Sequence, residues 1–570
     1  MPGAAPGATH RPRWVRGRGV DLATSLVLAV ALLGPMLLRR GYVLRGDMVF
    51  VPAQPWKGAW LGLDGRVPRF VPGDAFLSSA GMVLPGDLVQ KLVLLVALAV
   101  GGVGAGRLTA PSSAPSRVAG IALFLWNPWV YERLAIGQWG VVVGYLLLPW
   151  TVLAAERRRD GHAGAWSALA LLLGVSAVFS PASGLVALAT AVAVVAVGGG
   201  RRAVGATVGL GLLMNLTWIV PSLVHAGALA APDGQFAGFA PRAESGLGVV
   251  ASLLSFGGIW KASIVPPERT SAVIVLLSCL LTLAAVAGLR AAVRTHRSRV
   301  LGLAAVGGAA LLLTLVTAVP GVVAGLDAAA ARVPALGILR DSQRYLGPAV
   351  LALVPCLAAA TDRLHARARQ GVGALHVVAG LLVVAPVLCL PTLAFGMHGD
   401  LHPVAYPREW FTVRDQVPGG RMVVLPWRGG YRGFDWNDRR ASLDPAPRFF
   451  PGDVLIDDRL YLGSRTLDSE DPLLLDVRRA LLSTDPVGAL HRLGVRTVLV
   501  EKGTTFDLPD LSSATVLHDG PELTLVDLGK VTAAVPRSGS GSDRTVILLA
   551  DLLVLLVAAA AGVRVVRRTR

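Results

Sequence analysis

The segment Arg45-Gly46-Asp47 follows the first apolar run and carries the side chain best suited to catalysis. The topology described below places the Asp47 carboxylate on the outer face of a membrane, at the start of a long loop. A Gly-Asp pair is common in turns, which gives Asp47 a purely structural explanation. A carboxylate in this position is equally suited to act as a general base that accepts a proton from a substrate hydroxyl. The local residues leave both explanations open.

Two further outer segments combine acids with arginines. Glu132 and Arg133 end the third apolar run, where they form either an interfacial ion pair or part of a binding site. Arg340, Asp341 and Arg344 precede the tenth run. If these residues are helical, Arg340 and Arg344 lie one turn apart and face one phosphate, an anion that guanidinium groups bind well. They serve equally well as interfacial anchors for the next helix.

Residues 426–461 are rich in aromatic side chains beside Arg and Asp. Trp427, Tyr431 and Trp436 are the candidates for contacts with a glycan. The same composition describes a small domain that packs its aromatic side chains against the membrane face. The second explanation is slightly favoured.

No metal or cofactor site is predicted from the sequence. His398 and His402 are suitably spaced for a metal, but nothing supplies further ligands. Cys279, Cys356 and Cys389 lie within apolar runs, where they are expected to be small core residues rather than ligands or disulfide partners. Whether a divalent metal is required stays open.

Composition identifies the elements that must position these residues. The chain is 53% hydrophobic and 16% charged, with a mean hydropathy of +0.59. Apolar runs of about 17–23 residues recur, each long enough to cross a bilayer. The net charge of +18 is concentrated in Arg clusters within short loops, as expected for cytoplasmic loops. Because a nucleic-acid-binding protein would instead carry its charge as a basic patch on a folded domain, that class is excluded.

The predicted fold is an all-α polytopic membrane bundle of about twelve transmembrane helices with a small C-terminal extracytoplasmic α/β domain. Both termini are expected to be cytoplasmic. The bundle comprises 21–395, with outer loops 39–87, 224–270 and 321–344, and follows a disordered tail, 1–20. The predicted spans are 21–38, 88–106, 118–130, 138–155, 164–180, 182–198, 203–223, 271–289, 300–319, 346–361, 373–395 and 545–563.

The α/β domain is expected over 396–541. It contains strand-like runs at 422–425, 497–501, 515–517 and 523–526, with helical patterns at 476–482 and 487–493. The final span then returns to the cytoplasmic side and ends in a basic tail, 564–570. The expected location is a bacterial plasma membrane, with 396–541 outside the cell.

This organisation resembles the GT-C class of integral-membrane glycosyltransferases. The resemblance is carried by Gly46-Asp47 soon after the first span, by the dozen spans and by the C-terminal outer domain. Segments 127–134 and 340–344 are similar to those of actinobacterial membrane proteins near the arabinofuranosyl- and mannosyltransferases. The resemblance implies inverting transfer of a sugar from a polyprenyl-phosphate donor to an envelope glycan or lipid acceptor, with Asp47 as base. An Asp-x-Asp or Glu-Asp pair is absent from the first loop, which leaves metal dependence open.

The alternative is a non-enzymatic membrane protein, either a lipid-linked glycan transporter or an envelope-assembly scaffold. A transporter would line a path through its spans with polar groups. These spans are almost free of charge, and Asp551 is the main exception. That scarcity favours the enzyme.

Overall fold

The computed structural model describes residues 13–66, 69–228, 231–462, 465–503, 506–531 and 541–569, and it is mostly helical. Up to residue 398 the helices are α1 (Arg13–Leu33), α2 (Pro35–Leu38), α3 (Gly73–Gly81), α4 (Gly86–Leu108), α5 (Ala114–Leu125), α6 (Pro128–Ala135), α7 (Trp139–Arg159), α8 (Ala165–Phe179), α9 (Pro181–Ala196), α10 (Arg201–Met214), α11 (Leu216–Val224), α12 (Gln235–Gly238), α13 (Gly248–Leu254), α14 (Ala272–Ala287), α15 (Leu289–Thr295), α16 (Arg297–Val316), α17 (Pro320–Arg332), α18 (Gly347–Ala368), α19 (Ala374–Leu388) and the short turn α20 (Ala394–His398).

The C-terminal part alternates helices and strands before it ends in a long apolar helix. Its helices are α21 (Arg408–Gln416), α22 (Ala446–Phe449), α23 (Pro472–Leu481), α24 (Pro486–Arg492) and α25 (Gly541–Thr569). Its strands are β1 (Arg421–Leu425), β2 (Tyr431–Arg432), β3 (Ser442–Leu443), β4 (Asp453–Leu455), β5 (Leu460–Leu462), β6 (Arg465–Leu467), β7 (Val495–Glu501), β8 (Thr515–Asp519) and β9 (Leu523–Asp527).

Within the described residues, five helices are long and apolar enough to cross a membrane, or up to eight if each of three bent pairs is one span. The bends are 65° between α10 and α11, 42° between α14 and α15, and 54° after α19. Helices α8 and α9 are apolar but shorter, with 15 and 16 residues. A straight crossing needs about 20 residues, so the expected count of about twelve spans is not confirmed.

The first helix also begins earlier than the sequence predicts. Helix α1 begins at Arg13, so residues 13–20 of the expected tail are helical; residues 1–12 lie outside the described residues. The third expected span ends as α5, because Asn127 caps the next helix by accepting a hydrogen bond from the Val130 amide (3.0 Å) and Pro128 begins it.

The small sheet domain has a central five-stranded sheet in the order β4-β1-β7-β9-β8. Strand β1 runs parallel to β4 and β7, whereas β9 is antiparallel to both β7 and β8. The central strands β1 and β7 are almost fully buried, as expected for strands covered on both faces.

The first outer loop forms part of the core of this domain. Leu44, Val49 and Val51 belong to the same buried apolar cluster as Tyr406 and Trp410. Short backbone pairs reinforce the contact, with the Tyr42 amide donating to the Val404 carbonyl at 2.8 Å and the reverse bond at 3.0 Å. The loop therefore joins the bundle and the domain into one packed unit.

Candidate active site

Two glycines fix the backbone around Asp47. Gly46 and Gly137 have φ values of 52° and 83°, a backbone region that residues other than glycine rarely adopt. The loops touch so closely that a Cβ on Gly46 would lie 2.0 Å from the Ile136 carbonyl oxygen, and one on Gly137 would lie 2.2 Å from the Arg45 oxygen. The Asp47 amide donates to the Ile136 oxygen at 2.9 Å. The first outer loop is thus held directly against the turn that follows α6.

The α/β domain holds the same segment from the other side. The Gly46 amide donates to the Ala441 oxygen (2.9 Å), and the Leu443 amide donates to the Gly46 oxygen (2.8 Å). From strand β2, the Tyr431 hydroxyl donates a hydrogen bond to Asp47 Oδ1. Asp47 consequently lies at the junction of the bundle and the domain.

The electrostatic surroundings of Asp47 are mixed. Burial raises the pKa of the Asp47 carboxyl above its ordinary value, because the charged form loses solvation. The Tyr431 hydrogen bond and the positive charges of Arg344, Arg448 and Lys261 oppose that rise without cancelling it. The result is a carboxylate that is more basic than usual and faces cationic groups.

Asp47 lines a cavity of about 2460 Å³ between the outer loops and the α/β domain. Ordinary small-molecule pockets measure roughly 300–1,000 Å³, so this cavity has room for two substrates. Its lining contains more Arg and Lys side chains than Asp and Glu side chains. Arg340, Arg344 and Tyr431 also line it, together with Lys261 and Arg448.

A buried polar network supports the cavity floor. The Arg133 Nη1 and Asp341 Oδ2 atoms are 2.8 Å apart, and neither side chain is exposed. Asp341 Oδ2 also accepts from Arg344 Nη2 (3.2 Å) and from Gln138 Nε2 (3.3 Å). Arg133 and Asp341 therefore lie beneath the cavity. Arg344 and Gln138 belong to the same network and line the cavity. Gln138 is not among the residues predicted from the sequence, since nothing in its local pattern distinguishes it.

Glu132 occupies a second buried cluster. It is 1% exposed, and its carboxyl shares a hydrogen bond with that of Glu244 near the buried Arg269. Burial, and then repulsion from Glu244, raise the pKa of Glu132 well above its ordinary value, because both disfavour the charged form. Like that of Arg133, this buried position is suited to supporting the end of the bundle next to the cavity. Glu132 is not part of the described lining of the cavity.

Arg340 and Arg344 do not share one helical face. Asp341 has φ −90° and ψ 71°, which interrupts the helix between two short 3-10 segments, 334–339 and 342–346. Arg340 pairs with Glu470 of the α/β domain, whereas Arg344 pairs with Asp341. Their expected arrangement one helical turn apart is thus wrong, although both line the cavity.

The two candidate tryptophans pack inside the α/β domain. Trp436 stacks on Phe434 with ring centroids 4.8 Å apart and contacts Tyr406 and Trp410. Trp427 packs against the apolar cluster beside α23 and α24. Neither is among the described residues that line the cavity, so packing, the favoured explanation, accounts for both. Tyr431 does line the cavity. Its hydroxyl bonds to Asp47 and Lys261 lies over its ring, so the ring face is not free for a sugar.

In the part of the chain that the structure describes, no group of three or more His, Cys, Asp and Glu side chains is arranged to hold a metal ion. His402 of the suggested histidine pair instead contacts Asp438. The cavity site is therefore built from carboxylates, cations and hydroxyls.

Fold and cavity together define a polytopic membrane protein whose candidate site lies where the helical bundle meets a small sheet domain. No protein-family model and no curated protein matches the chain. Among solved structures it is similar to a mutant of the arabinofuranosyltransferase AftD from mycobacteria, determined by single-particle cryo-EM, with a TM-score of 0.55 and 16% identity. The alignment covers 94% of this chain and 42% of that one, so this chain spans less than half of AftD's length. At this identity the likeness shows the fold alone.

Proposed function

We propose that the protein is an integral-membrane glycosyltransferase that moves a sugar from a polyprenyl-phosphate donor to an envelope glycan or lipid acceptor on the outer face. Asp47 is the general base. The observation that carries the proposal is the position of Asp47, in a large cavity beside Arg344 and Lys261. The AftD-like fold agrees with it.

The proposed reaction uses the opposed charges in this cavity. The Asp47 carboxylate takes the proton of the acceptor hydroxyl, whose oxygen attacks the anomeric carbon from the face opposite the phosphate. The bond from the anomeric carbon to the phosphate oxygen breaks, and polyprenyl phosphate leaves with the electron pair. The sugar configuration is inverted, because a single displacement occurs.

Arg344 and Lys261 are suited to stabilise the phosphate that leaves. The Arg344 side chain is 25% exposed and lines the cavity, while one Nη is fixed by Asp341 at 3.2 Å. A guanidinium held in this way presents a preorganised donor to an anion. Lys261 adds a second positive charge close enough to lower the pKa of Asp47.

The cavity also has an apolar end that suits an isoprenoid. Its lining reaches Leu223 on α11 and Leu548 on α25, which are 70% and 46% exposed at the apolar surface of the bundle. A lipid-linked donor would keep its tail there in the bilayer while its head group enters the cavity. This geometry supports a membrane-embedded donor in preference to a water-soluble nucleotide sugar.

The test is sugar transfer by the purified full-length chain in lipid nanodiscs. The probes are radiolabelled polyprenyl-phosphate arabinofuranose and polyprenyl-phosphate mannose, each with synthetic arabinan and mannan oligosaccharides. We expect transfer from one donor and a loss of about 100-fold or more in Asp47→Asn. Asp87→Asn is the matched control, since Asp87 lies in the first turn of α4 and pairs with Lys91 at 3.0 Å, away from the described cavity lining.

Two results would overturn the proposal. One is full activity of Asp47→Asn, which would remove the assigned base. The other is a folded wild-type protein, equal in stability to the Asp87→Asn control, that transfers sugar from neither donor.

A further inference from the structure

We propose that Tyr431 is a positioning residue for Asp47, so that the α/β domain supplies part of the active site. This inference rests on the proposed role of Asp47 as base. Its starting point is the hydrogen bond from the Tyr431 hydroxyl to Asp47 Oδ1, which joins residues 384 positions apart.

The backbone fixes both partners through one short strand. Tyr431 pairs with Leu443 in the antiparallel β2–β3 ribbon. The neighbouring residue of β3, Ser442, forms a bridge with Gly46, immediately before Asp47. Ser442 and Leu443 of β3 thus hold the backbone of Tyr431 on one side and that of Gly46 on the other. The Tyr431 hydroxyl and the Asp47 carboxylate therefore have little freedom to separate.

The bond orients the carboxylate. A phenol has one proton to donate, and burial raises the pKa of the Tyr431 hydroxyl well above its ordinary value, so that proton is retained throughout the physiological range. The Tyr431 hydroxyl occupies Oδ1 of Asp47, which leaves Oδ2 to take the proton from the hydroxyl of the acceptor substrate. Lys261 lies over the Tyr431 ring, with its Nζ 5.7 Å from the centroid, and restricts the ring from the cavity side.

The bond also lowers the pKa of the base. A donated hydrogen bond favours the ionised carboxylate, and it opposes the effect of burial on the pKa of Asp47. Without it, Asp47 would keep its proton to a higher pH and be unable to accept another. Tyr431 thus keeps a half-buried base available.

The experiment compares Tyr431→Phe with Tyr406→Phe. Tyr406 is a matched control, because its hydroxyl also links the α/β domain to the first outer loop, donating to the Phe50 oxygen at 3.0 Å. We expect the acid limb of kcat/KM in Tyr431→Phe to move up by about one pH unit, and that of Tyr406→Phe to stay unchanged. At pH values below this limb, the kcat/KM of Tyr431→Phe would then be about tenfold lower than that of the wild type at the same pH.

A second measurement does not depend on activity. Dicyclohexylcarbodiimide reacts with protonated carboxyl groups, and mass spectrometry of the Asp47 peptide reports the labelled fraction at each pH. We expect labelling in Tyr431→Phe to persist to higher pH than in the wild type or Tyr406→Phe. Identical labelling curves for all three proteins would overturn the role of Tyr431. If instead the curves shift but Asp47→Asn stays active, the proposed base is wrong and the contact with Tyr431 stands.

Discussion

Arg133 and Asp341 form an ion pair in which neither side chain is exposed, with Nη1 and Oδ2 2.8 Å apart, although 208 positions separate them in the chain. Asp341 uses the same oxygen to hold Arg344, which lines the cavity. The pair therefore connects α6 to the segment that precedes α18 and fixes a cation of the candidate site.

Replacement of Arg133 by Met is expected to destabilise the protein by about 3 kcal/mol, because a buried Asp341 loses its main partner. The double variant Arg133→Met, Asp341→Asn removes the charge as well and is expected to be more stable than the single variant. Thermal unfolding in nanodiscs measures both. A single variant as stable as the wild type would contradict the structural role of this pair.

Replacement of Gly137 by Ala is expected to displace the first outer loop and abolish transfer. Its Cβ would lie 2.2 Å from the Arg45 oxygen and 2.3 Å from the Asp47 amide nitrogen. Gly161→Ala is the control, because Gly161 also has a positive φ, 74°, but nothing lies within 4 Å of an added Cβ. Both variants carry the cost of about 1 kcal/mol for placing alanine at a positive φ. Only the close approach of the added Cβ to the backbone of residues 45–47 distinguishes them. Equal activity of the two would show that the loop contact is dispensable.

Glu132 is expected to make stability decrease as the pH rises. Its pKa is raised in the folded state, so the folded protein keeps a proton that the unfolded chain releases. The stabilising effect is complete below the ordinary pKa of a glutamate and is lost as the pH rises through the raised value. Glu132→Gln is expected to flatten this dependence, whereas the exposed Asp415→Asn leaves it unchanged. Thermal midpoints measured from pH 5 to pH 9 test the difference.

Arg344→Gln is expected to lower kcat/KM about 100-fold through loss of a preorganised donor to the leaving phosphate. Because the positive charge of Arg344 lowers the pKa of Asp47, its removal should also shift the acid limb to higher pH. Arg344→Lys keeps the charge and loses the planar fork, so it should lower the rate without that shift. The exposed Arg408→Gln serves as the control. Wild-type rates in Arg344→Gln would exclude a role in phosphate binding.

Much of the architecture follows from local patterns. Runs of apolar residues predict membrane helices, and the patterns at 422–425 and 497–501 correspond to the buried central strands β1 and β7. The number of crossings could not be predicted in the same way. It depends on the 65° bend between α10 and α11 and on how short helices such as α8 pack, which only neighbouring helices determine.

The candidate site shows the same division. Residue type and position near the span ends predict Asp47, Arg340 and Arg344 as site residues, and all three line the cavity. Glu132 carries the same kind of signal, yet it is buried beside Glu244. Local sequence does not distinguish a charge that faces a cavity from one that faces another buried charge.

The sequence by itself determined a helical membrane protein with a small sheet domain and an acid in the loop after its first apolar run, because hydropathy and turn chemistry act over a few residues. Only the tertiary structure decided what surrounds that acid. Tyr431 meets Asp47 because strand β3 binds the backbone on both sides, and Gly46 and Gly137 permit the approach of loops about 90 residues apart. Such contacts arise from steric fit between distant segments, which no local pattern encodes.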